Sequence, residues 1–231
     1  MMKYVKRFLV VLLALFILLG VTLGVIGYRE FKRVTDQISI QDKVAEIRDQ
    51  EHFVNYKDIA PQLLQATVAI EDRRFYDHGG IDVIGLGRAL LDNITAKKVV
   101  GGGSTITQQL AKNMYFGYET NITRKMGEFF VARELESKYT KKEILELYVN
   151  IINYGDNHIG IWEASQGYYQ CMPSELTLKQ ASMLAGIPQS PSNFQLSDHL
   201  ESARTRQKAV LEAMVKEDMI TYAESVQARD H

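Results

Sequence analysis

The chain has 231 residues, 46% of them hydrophobic, which suits one domain of about 200 residues with a proper core behind any membrane segment. Its 27 basic and 28 acidic residues give a net charge of −1, which argues against a general nucleic-acid-binding protein, because such proteins carry a basic excess. The single cysteine excludes an intrachain disulfide framework and a cysteine-rich metal site, and the five histidines lack the HExxH spacing of zinc hydrolases.

An apolar run without a charge extends from Phe8 to Gly27. At a rise of about 1.5 Å per residue, a helix of this length covers a hydrocarbon core about 30 Å thick. The alternative is a cleavable signal peptide, whose apolar region is usually about 7–15 residues long and is followed by a small-residue cleavage site. This run is longer and no such site follows it, so we expect an uncleaved transmembrane helix over residues 8–27.

The basic residues on the two sides of this run bear on its orientation. Those before it favour a cytoplasmic N-terminus over residues 1–7, with the remaining residues outside the cell or in the periplasm. The basic residues before the run are Lys3, Lys6 and Arg7. The basic residues after the run are Arg29, Lys32 and Arg33, and they weaken the prediction of a cytoplasmic N-terminus. We expect a single-pass protein of the cell membrane.

Residues 28–57 are polar and charged, and they predict a membrane-proximal helix or tether. From residue 58 to residue 231 helical signals dominate, while strand alternation and hairpin dipeptides are scarce. Pro61 suits a first helical position, and Gly186 followed by Pro188 suits a helix end. Three capping-box patterns mark further helix starts: Thr105-x-x-Gln108, Thr140-x-x-Glu143 and Thr177-x-x-Gln180. The sequence therefore predicts a mainly α domain.

The stretch AIEDRRFYDHGG crowds carboxylates, arginines, aromatic residues and a histidine behind an apolar segment. A helix through that segment would place Leu64, Val68 and Glu71 on one stripe. Burial on this stripe should raise the pKa of Glu71, as suits a general base or acid. The alternative is a charged helix end at which Glu71 pairs with Arg73 or Arg74, and this stretch alone leaves both interpretations open.

The stretch VVGGGSTITQQLAKN places three glycines before a predicted helix start. Glycines let the backbone approach a ligand, and the free N–H groups of a helix start favour anions. Thr105, Gln108 and Lys112 fall on one face of this helix. The GxxxxGK[ST] pattern of a P-loop is absent. Taken alone, the stretch is more simply a flexible loop followed by a surface helix.

A third stretch places two cations before a carboxylate. Arg124 and Lys125 precede Glu128 by four and three residues, the spacing of ordinary helix ion pairs worth about 0.2–0.5 kcal/mol. The functional alternative is a cationic pair for a phosphate-bearing substrate, with a second carboxylate beside it.

Together these stretches resemble the motifs of the peptidoglycan glycosyltransferases, which are monofunctional enzymes or the N-terminal domains of class A penicillin-binding proteins. The pattern ED-x-x-F-x-x-H-x-G is matched by Glu71, Asp72, Phe75, His78 and Gly80. The pattern GGSTI-TQQ with a following KN is matched by Gly102 through Gln109, Lys112 and Asn113. The pattern RK-x-x-E is matched by Arg124, Lys125 and Glu128. Further matches lie at residues 141–150, 156–168 and 181–191.

The resemblance covers about residues 55–215, with two departures. The motif matched at residues 156–168 continues as Tyr168-Tyr169 where the family usually has Tyr-Phe. The loop before Arg124 lacks a further arginine that some members carry, which bears on how tightly one pyrophosphate is held. Because the transpeptidase signatures are absent, we expect a monofunctional chain.

The resemblance implies a lysozyme-like, mainly α fold with two lobes and a groove between them. It also implies that lipid II is polymerised into linear glycan strands by inverting β-1,4 transfer, with release of undecaprenyl pyrophosphate. The implied catalytic residues are Glu71, as the base, and Glu128, which would organise the cations. The implied substrate-binding residues are Lys112, Arg124 and Lys125 for the pyrophosphate, with Gln108, Ser104, Thr105, Asp72 and His78.

No cofactor is expected to be required, and a divalent cation, Mg²⁺ or Mn²⁺, coordinated with the help of Glu128 is the alternative. The expected partners are lipid II, the growing glycan strand and the membrane, with cell-division or elongation proteins as further candidates and no nucleic acid. The segment Met114 to Tyr118 is expected either to dip into the membrane and admit the lipid tail or to be a buried loop.

Two other functions compete with this one. A glycan-cleaving muramidase or lytic transglycosylase would share a lysozyme-like fold and a lone catalytic glutamate, but has no reason to keep the cations Lys112, Arg124 and Lys125. A catalytically inactive membrane-anchored scaffold would not need Glu71 and Glu128 intact.

Overall fold

The computed structural model describes residues 2–96, 103–117 and 121–229. In this part of the chain the residues form α-helices joined by short 3₁₀ turns and loops, and the single β contact is an isolated bridge between Asn153 and Ile159. The prediction of a mainly α fold is therefore confirmed. The helices are α1 (Met2–Thr35), α2 (Ile40–Arg48), α3 (Pro61–Glu71), α4 (Val83–Ala96), α5 (Ile106–Tyr115), α6 (Ile122–Lys138), α7 (Lys141–Ile151), α8 (Ile161–Tyr169), α9 (Leu178–Gly186), α10 (Pro191–Phe194), α11 (Leu200–Lys216) and α12 (Tyr222–Arg229).

The predicted helix starts and stops are confirmed where they depend on local chemistry. Each of the three predicted capping boxes forms, so that a threonine hydroxyl accepts the N–H group three residues later and the side chain there bonds back to the threonine N–H. These boxes begin α5, α7 and α9. Pro61 occupies the first turn of α3, and α9 ends at Gly186.

The N-terminal helix α1 is long and apolar enough to cross a membrane. The candidate span runs from Lys3 to Thr35, with a mean hydropathy of 3.1 in its most apolar window and none of that window buried against the rest of the chain. The predicted apolar helix is confirmed, but α1 continues beyond Gly27 as one unbroken element. A membrane anchor is thus covalently continuous with the folded domain.

The segment predicted as a membrane-proximal helix or tether contains the end of α1 and the whole of α2, and it packs against the domain. A side chain at Gly27 would come within 2.7 Å of Met126 on α6, so the two helices approach closely there. The rings of Tyr28, Phe31 and Phe130 then lie about 6 Å apart, centre to centre. The buried residues of α2 extend the core further: Ile40, Val44 and Ile47. The packed domain therefore begins before the predicted boundary at residue 58.

Met114 is buried at the end of α5, and the Tyr115 hydroxyl donates to the carbonyl of Ile38 at 3.0 Å. Phe116 is partly buried against the core. The first two residues of this segment are therefore the end of helix α5 and not a buried loop, while its dipping into the membrane stays a prediction. Tyr118 lies outside the described residues.

Two groups of helices face each other across a groove. In one group α3, α9 and α11 pack against one another, and in the other α5 packs on α6 and α7. Helix α1 joins the second group through α6. Buried side chains of both groups belong to one continuous hydrophobic core. This arrangement places the end of α3 opposite the exposed faces of α5 and α6.

Candidate active site

Glu71 is the last residue of α3, and only 8% of its side chain is exposed. Its Oε2 atom accepts a hydrogen bond of 2.7 Å from the Gln109 side-chain amide. The Gln109 carbonyl oxygen is in turn held by the Tyr148 hydroxyl at 3.0 Å. Burial raises the pKa of Glu71 and outweighs the Gln109 hydrogen bond, which lowers it. The predicted direction of this pKa shift is confirmed, and a carboxyl group of this kind suits proton transfer.

Arg73 and Arg74, which the sequence analysis considered as ion-pair partners of Glu71, contact other carboxylates. Arg73 Nη1 lies 3.8 Å from a Glu217 carboxylate oxygen, and Arg74 Nε lies 3.3 Å from Asp82. Neither arginine pairs with Glu71, so that alternative is wrong. The helix ends at Glu71, with Asp72 as its C-cap, so both arginines lie beyond α3.

Asp72 connects the end of α3 to the start of α5. Its two oxygens lie 2.9 and 3.0 Å from His78 Nε2, and one of them accepts the backbone N–H of Ile106 at 3.1 Å. Burial raises the pKa of Asp72, while the contact with His78 lowers it. Asp72 and His78 therefore fix the position of the loop and of α5, and His78 reaches the groove only through Asp72 in this arrangement.

The start of α5 is held in the same way. The Thr105 hydroxyl accepts from the Gln108 N–H and donates to the Gly80 carbonyl at 2.6 Å. Gly80 has φ of +89°, a conformation that favours glycine. The cap thus ties α5 to the glycine that ends the first motif. Residues 99–102, which include Gly101 and Gly102 of the predicted anion-binding loop, lie outside the described residues.

Glu128 is fully buried on α6 between two cations. Lys125 Nζ donates to Glu128 Oε2 at 2.7 Å and to the Ser104 hydroxyl at 2.8 Å. Arg124 Nε lies 2.9 Å from Glu128 Oε1 as an ion pair without hydrogen-bond alignment, and Arg124 Nη1 donates to the Gly117 carbonyl at 3.2 Å. Both predicted ion pairs within the helix, Arg124–Glu128 and Lys125–Glu128, are present, and the Glu128 carboxylate that they share is buried and not solvated.

A cavity of about 500 Å³ brings most of the predicted site residues together. Seven of the ten line it: Glu71, Ser104, Gln108, Lys112, Arg124, Lys125 and Glu128. Asp72 and Thr105 line an adjoining cavity of about 280 Å³, which shares Glu71 and Ser104 with the first. Burial lowers the pKa of Lys112, and the Glu128 carboxylate opposes that shift. The arrangement places a buried carboxyl group and a cluster of cations around one space.

Two residues of this cavity that contact Glu71 were missed by the sequence interpretation. Gln109 fell within a recognised motif but carries no charge, so nothing marked it as a contact of Glu71. Arg206 lies on α11, 135 positions along the chain from Glu71, and its Nη2 atom is 3.4 Å from Glu71 Oε1. No local pattern in the sequence around Arg206 indicates that contact.

Among the described residues, one group of side chains has metal-ligand spacing: Asp72, His78 and Asp82. Their candidate ligand atoms lie within 4.8 Å of one another. However, His78 already contacts Asp72, and the guanidinium of Arg74 lies beside Asp82. A metal ion at this place would have to displace both of these contacts.

Comparisons with known proteins give one consistent family. The transglycosylase family model matches residues 40–215. Penicillin-binding protein 1A of Neisseria flavescens is 43% identical over 176 residues, which are 76% of this chain and 22% of that protein. Penicillin-binding protein 2D of Bacillus subtilis is 41% identical over 173 residues, which are 75% of this chain and 25% of that protein. The chain thus spans about a quarter or less of the length of these relatives.

Among solved structures, the crystal structure of penicillin-binding protein 1A from Haemophilus influenzae matches 78% of this chain and 17% of its own chain. The TM-score is 0.47 and the sequence identity is 22%. A TM-score of this size carries no argument about function.

Proposed function

The chain belongs to the transglycosylase family, and from this premise we propose that it is a membrane-anchored peptidoglycan glycosyltransferase that polymerises lipid II into linear glycan strands. One observation carries the proposal: the buried Glu71 carboxyl group and the cations Lys112, Arg124 and Lys125 line the same cavity. A base and an anion-binding cluster in one space are what a sugar transfer with a pyrophosphate leaving group requires.

Glu71 is the general base of this reaction. Its carboxylate takes the proton of the 4-hydroxyl group of the acceptor sugar while that oxygen attacks the anomeric carbon of the donor. The bond from the anomeric carbon to the pyrophosphate oxygen breaks, and undecaprenyl pyrophosphate leaves with the bonding electrons. A single displacement of this kind inverts the anomeric centre and gives a β-1,4 link. The raised pKa of Glu71 supports the assignment, because a stronger base takes a hydroxyl proton more readily.

The cations bind and stabilise the departing pyrophosphate. A pyrophosphate needs positive charge more than it needs a proton, and preorganised cations stabilise such charge in a partly dry cavity. Glu128 holds Arg124 and Lys125 apart from each other and aimed at the cavity, since each of its oxygens contacts one of them. The Ser104 hydroxyl, which precedes α5, accepts a hydrogen bond from the Lys125 ammonium group and fixes its position. Gln108 lines the same cavity.

Side-chain cations are proposed to suffice for this role. The Glu128 carboxylate, the candidate ligand for a divalent cation, already contacts Arg124 and Lys125 with its two oxygens. Mg²⁺ usually keeps several waters and binds through one or two carboxylates together with substrate phosphates. Any such ion would therefore have to be held mainly by the pyrophosphate of the substrate.

The anchor supports the same function, because substrate and product of this reaction are both attached to the membrane. Helix α1 would keep the groove at the surface where the lipid-linked substrate lies, with residues 1–7 in the cytoplasm and the domain outside. Cell-division or elongation proteins are further proposed partners. The growing strand itself would occupy the groove beside Glu71.

Polymerisation of labelled lipid II by the purified full-length protein tests this proposal. Long polymer from lipid II supports the glycosyltransferase. Short fragments from finished cell wall, with no polymer from lipid II, would instead indicate a muramidase or lytic transglycosylase. Absence of both activities in a folded protein would favour the inactive scaffold.

A further inference from the structure

We propose that Arg206 is a positioning residue that fixes the Glu71 carboxylate from α11 and keeps it anionic in its buried place. The inference rests on the proposed role of Glu71 as the base. It concerns a residue outside the three stretches that define the catalytic motifs.

The Arg206 side chain is held by its surroundings and not by solvent. Only 16% of it is exposed, and its Nε atom donates to the Gly186 carbonyl at 3.4 Å. A Cβ atom at position 186 would lie 2.8 Å from Arg206 Cγ, so the glycine at the end of α9 leaves room for the arginine stem. Gln207 ties α11 to α9 through the Lys179 carbonyl at 2.9 Å and the Ser182 hydroxyl at 3.1 Å. These contacts therefore fix the position of the Arg206 guanidinium group beside the groove.

Glu71 is consequently held on both of its oxygens. Gln109 on α5 donates to Oε2 at 2.7 Å, and Arg206 on α11 lies 3.4 Å from Oε1. The two contacts come from the two helix groups on opposite sides of the groove. A carboxylate bound in this way has one orientation toward an acceptor hydroxyl group, and orientation of the base is a large part of its catalytic effect.

Charged groups face Glu71 from several elements. Asp72, the next residue, raises the pKa of Glu71, as does burial, which is the largest effect. Lys112 on α5 and Arg206 on α11 lower it. Tyr148 on α7 is neutral because burial raises its own pKa well above the usual value. On α6, the charges of Arg124 and Lys125 are partly balanced by Glu128 between them.

Among the described residues, Arg206 is the cation that forms an ion pair with the base, and the sign of its effect on the pH dependence follows directly. Without the Arg206 charge, the protonated form of Glu71 is favoured, so its pKa rises. The base is then lost at a higher pH than in the parent protein, and the acid limb of kcat/KM moves to higher pH. At a pH well above that limb the carboxylate forms again, and much of the lost rate returns.

The experiment compares pH profiles of kcat/KM for lipid II polymerisation by the full-length parent protein, Arg206→Gln, Arg206→Lys and the control Arg204→Gln. Arg204 is on the same helix, is 60% exposed and pairs with Glu201, so its loss should leave the profile unchanged. We expect Arg206→Gln to move the acid limb upward by about one pH unit or more, as for loss of an opposite charge next to a carboxylate. Arg206→Lys keeps the charge and should bring the limb back toward that of the parent.

An equal loss of rate at every pH, with an unmoved acid limb, would overturn the proposal and would make Arg206 a substrate contact or a purely structural residue. A rise in KM alone would do the same. Circular dichroism establishes that each variant is folded before it is assayed, and Arg206→Lys serves as the test if Arg206→Gln does not fold.

A second readout does not need activity. The protein labelled with ¹³C at the glutamate carboxyl carbons is titrated by NMR, and the Glu71 signal is assigned as the one missing from Glu71→Gln. The midpoint of the pH titration of this signal should lie at a higher pH in Arg206→Gln than in the parent, and an unchanged midpoint contradicts the proposal. If the parent makes no polymer but this shift is observed, the proposed function fails, while the electrostatic effect of Arg206 on the Glu71 carboxylate stands.

Discussion

Replacing the buried carboxylate of Glu128 by an amide tests the electrostatic design of the groove. In Glu128→Gln the amide oxygen can still accept a hydrogen bond from Lys125. The amide N–H₂ group then faces the Arg124 guanidinium, and because both groups are hydrogen-bond donors they cannot pair. Two cations that shared one buried counter-charge lose it together. The folded state should therefore be less stable, and its groove should bind anions more strongly than before.

The magnitude follows from the exposure of the three side chains. Removing one partner of a fully buried ion pair costs about 3–5 kcal/mol. Here Glu128 is 1% exposed, whereas Arg124 and Lys125 keep 14% and 37% of their side-chain surface, so water screens part of the penalty. We expect a loss of about 2–3 kcal/mol, which lowers the Tm of a domain of this size by roughly 4–12 °C.

Thermal unfolding of the full-length protein in detergent measures this loss, with and without inorganic pyrophosphate. Pyrophosphate should raise the Tm of Glu128→Gln more than that of the parent, because it replaces the missing negative charge. Glu134→Gln is the matched control: Glu134 is on the same helix, and its ion pair with Lys138 is about a third exposed on both sides, so its loss should cost little. Equal Tm values for Glu128→Gln and the parent would refute the reasoning, as would an equal effect of pyrophosphate on both.

The other predictions concern the pyrophosphate site and the topology. Lys112→Ala should lower the turnover of lipid II by on the order of a hundredfold or more, as for loss of one donor that stabilises the transition state, and near-normal turnover in steady-state assays would make Lys112 an ordinary helix residue. A C-terminal reporter that is active only in the cytoplasm should stay silent, because one span with residues 1–7 inside places the domain outside; strong reporter activity would contradict that orientation.

The parts of the fold that could be predicted from the sequence depend on contacts between near neighbours. Thr105, Thr140 and Thr177 each begin a helix through a partner three residues later, and such a pattern needs no tertiary information. The packing of α1 on α6 could not be predicted in this way. It depends on Gly27, the last residue of the apolar run, meeting Met126 across the fold, and the sequence around Gly27 gives no local sign of that contact.

In the candidate site too, residues in local motifs could be predicted, whereas a contact between distant parts of the chain could not. Glu71, Lys112 and Glu128 were found from motifs whose residue types suit the chemistry, and the structure brings them to one cavity. Their roles remain predictions. The contact of Arg206 with Glu71 joins residues 135 positions apart, and α11 carries a second arginine, Arg204, that pairs with Glu201 of its own helix, so composition alone could not single out Arg206.

The central claim is that Glu71 is the base of lipid II polymerisation, and Glu71→Gln tests it most directly. The amide keeps the size of the side chain and most of its hydrogen bonding but cannot take a proton. The folded variant should still bind lipid II or a substrate-mimicking inhibitor, yet polymerise lipid II more slowly by at least the contribution of about 10²–10⁴-fold that general base catalysis makes. A folded Glu71→Gln protein that polymerised lipid II within a few-fold of the parent rate would contradict the claim and would make Glu128 the next candidate for the base.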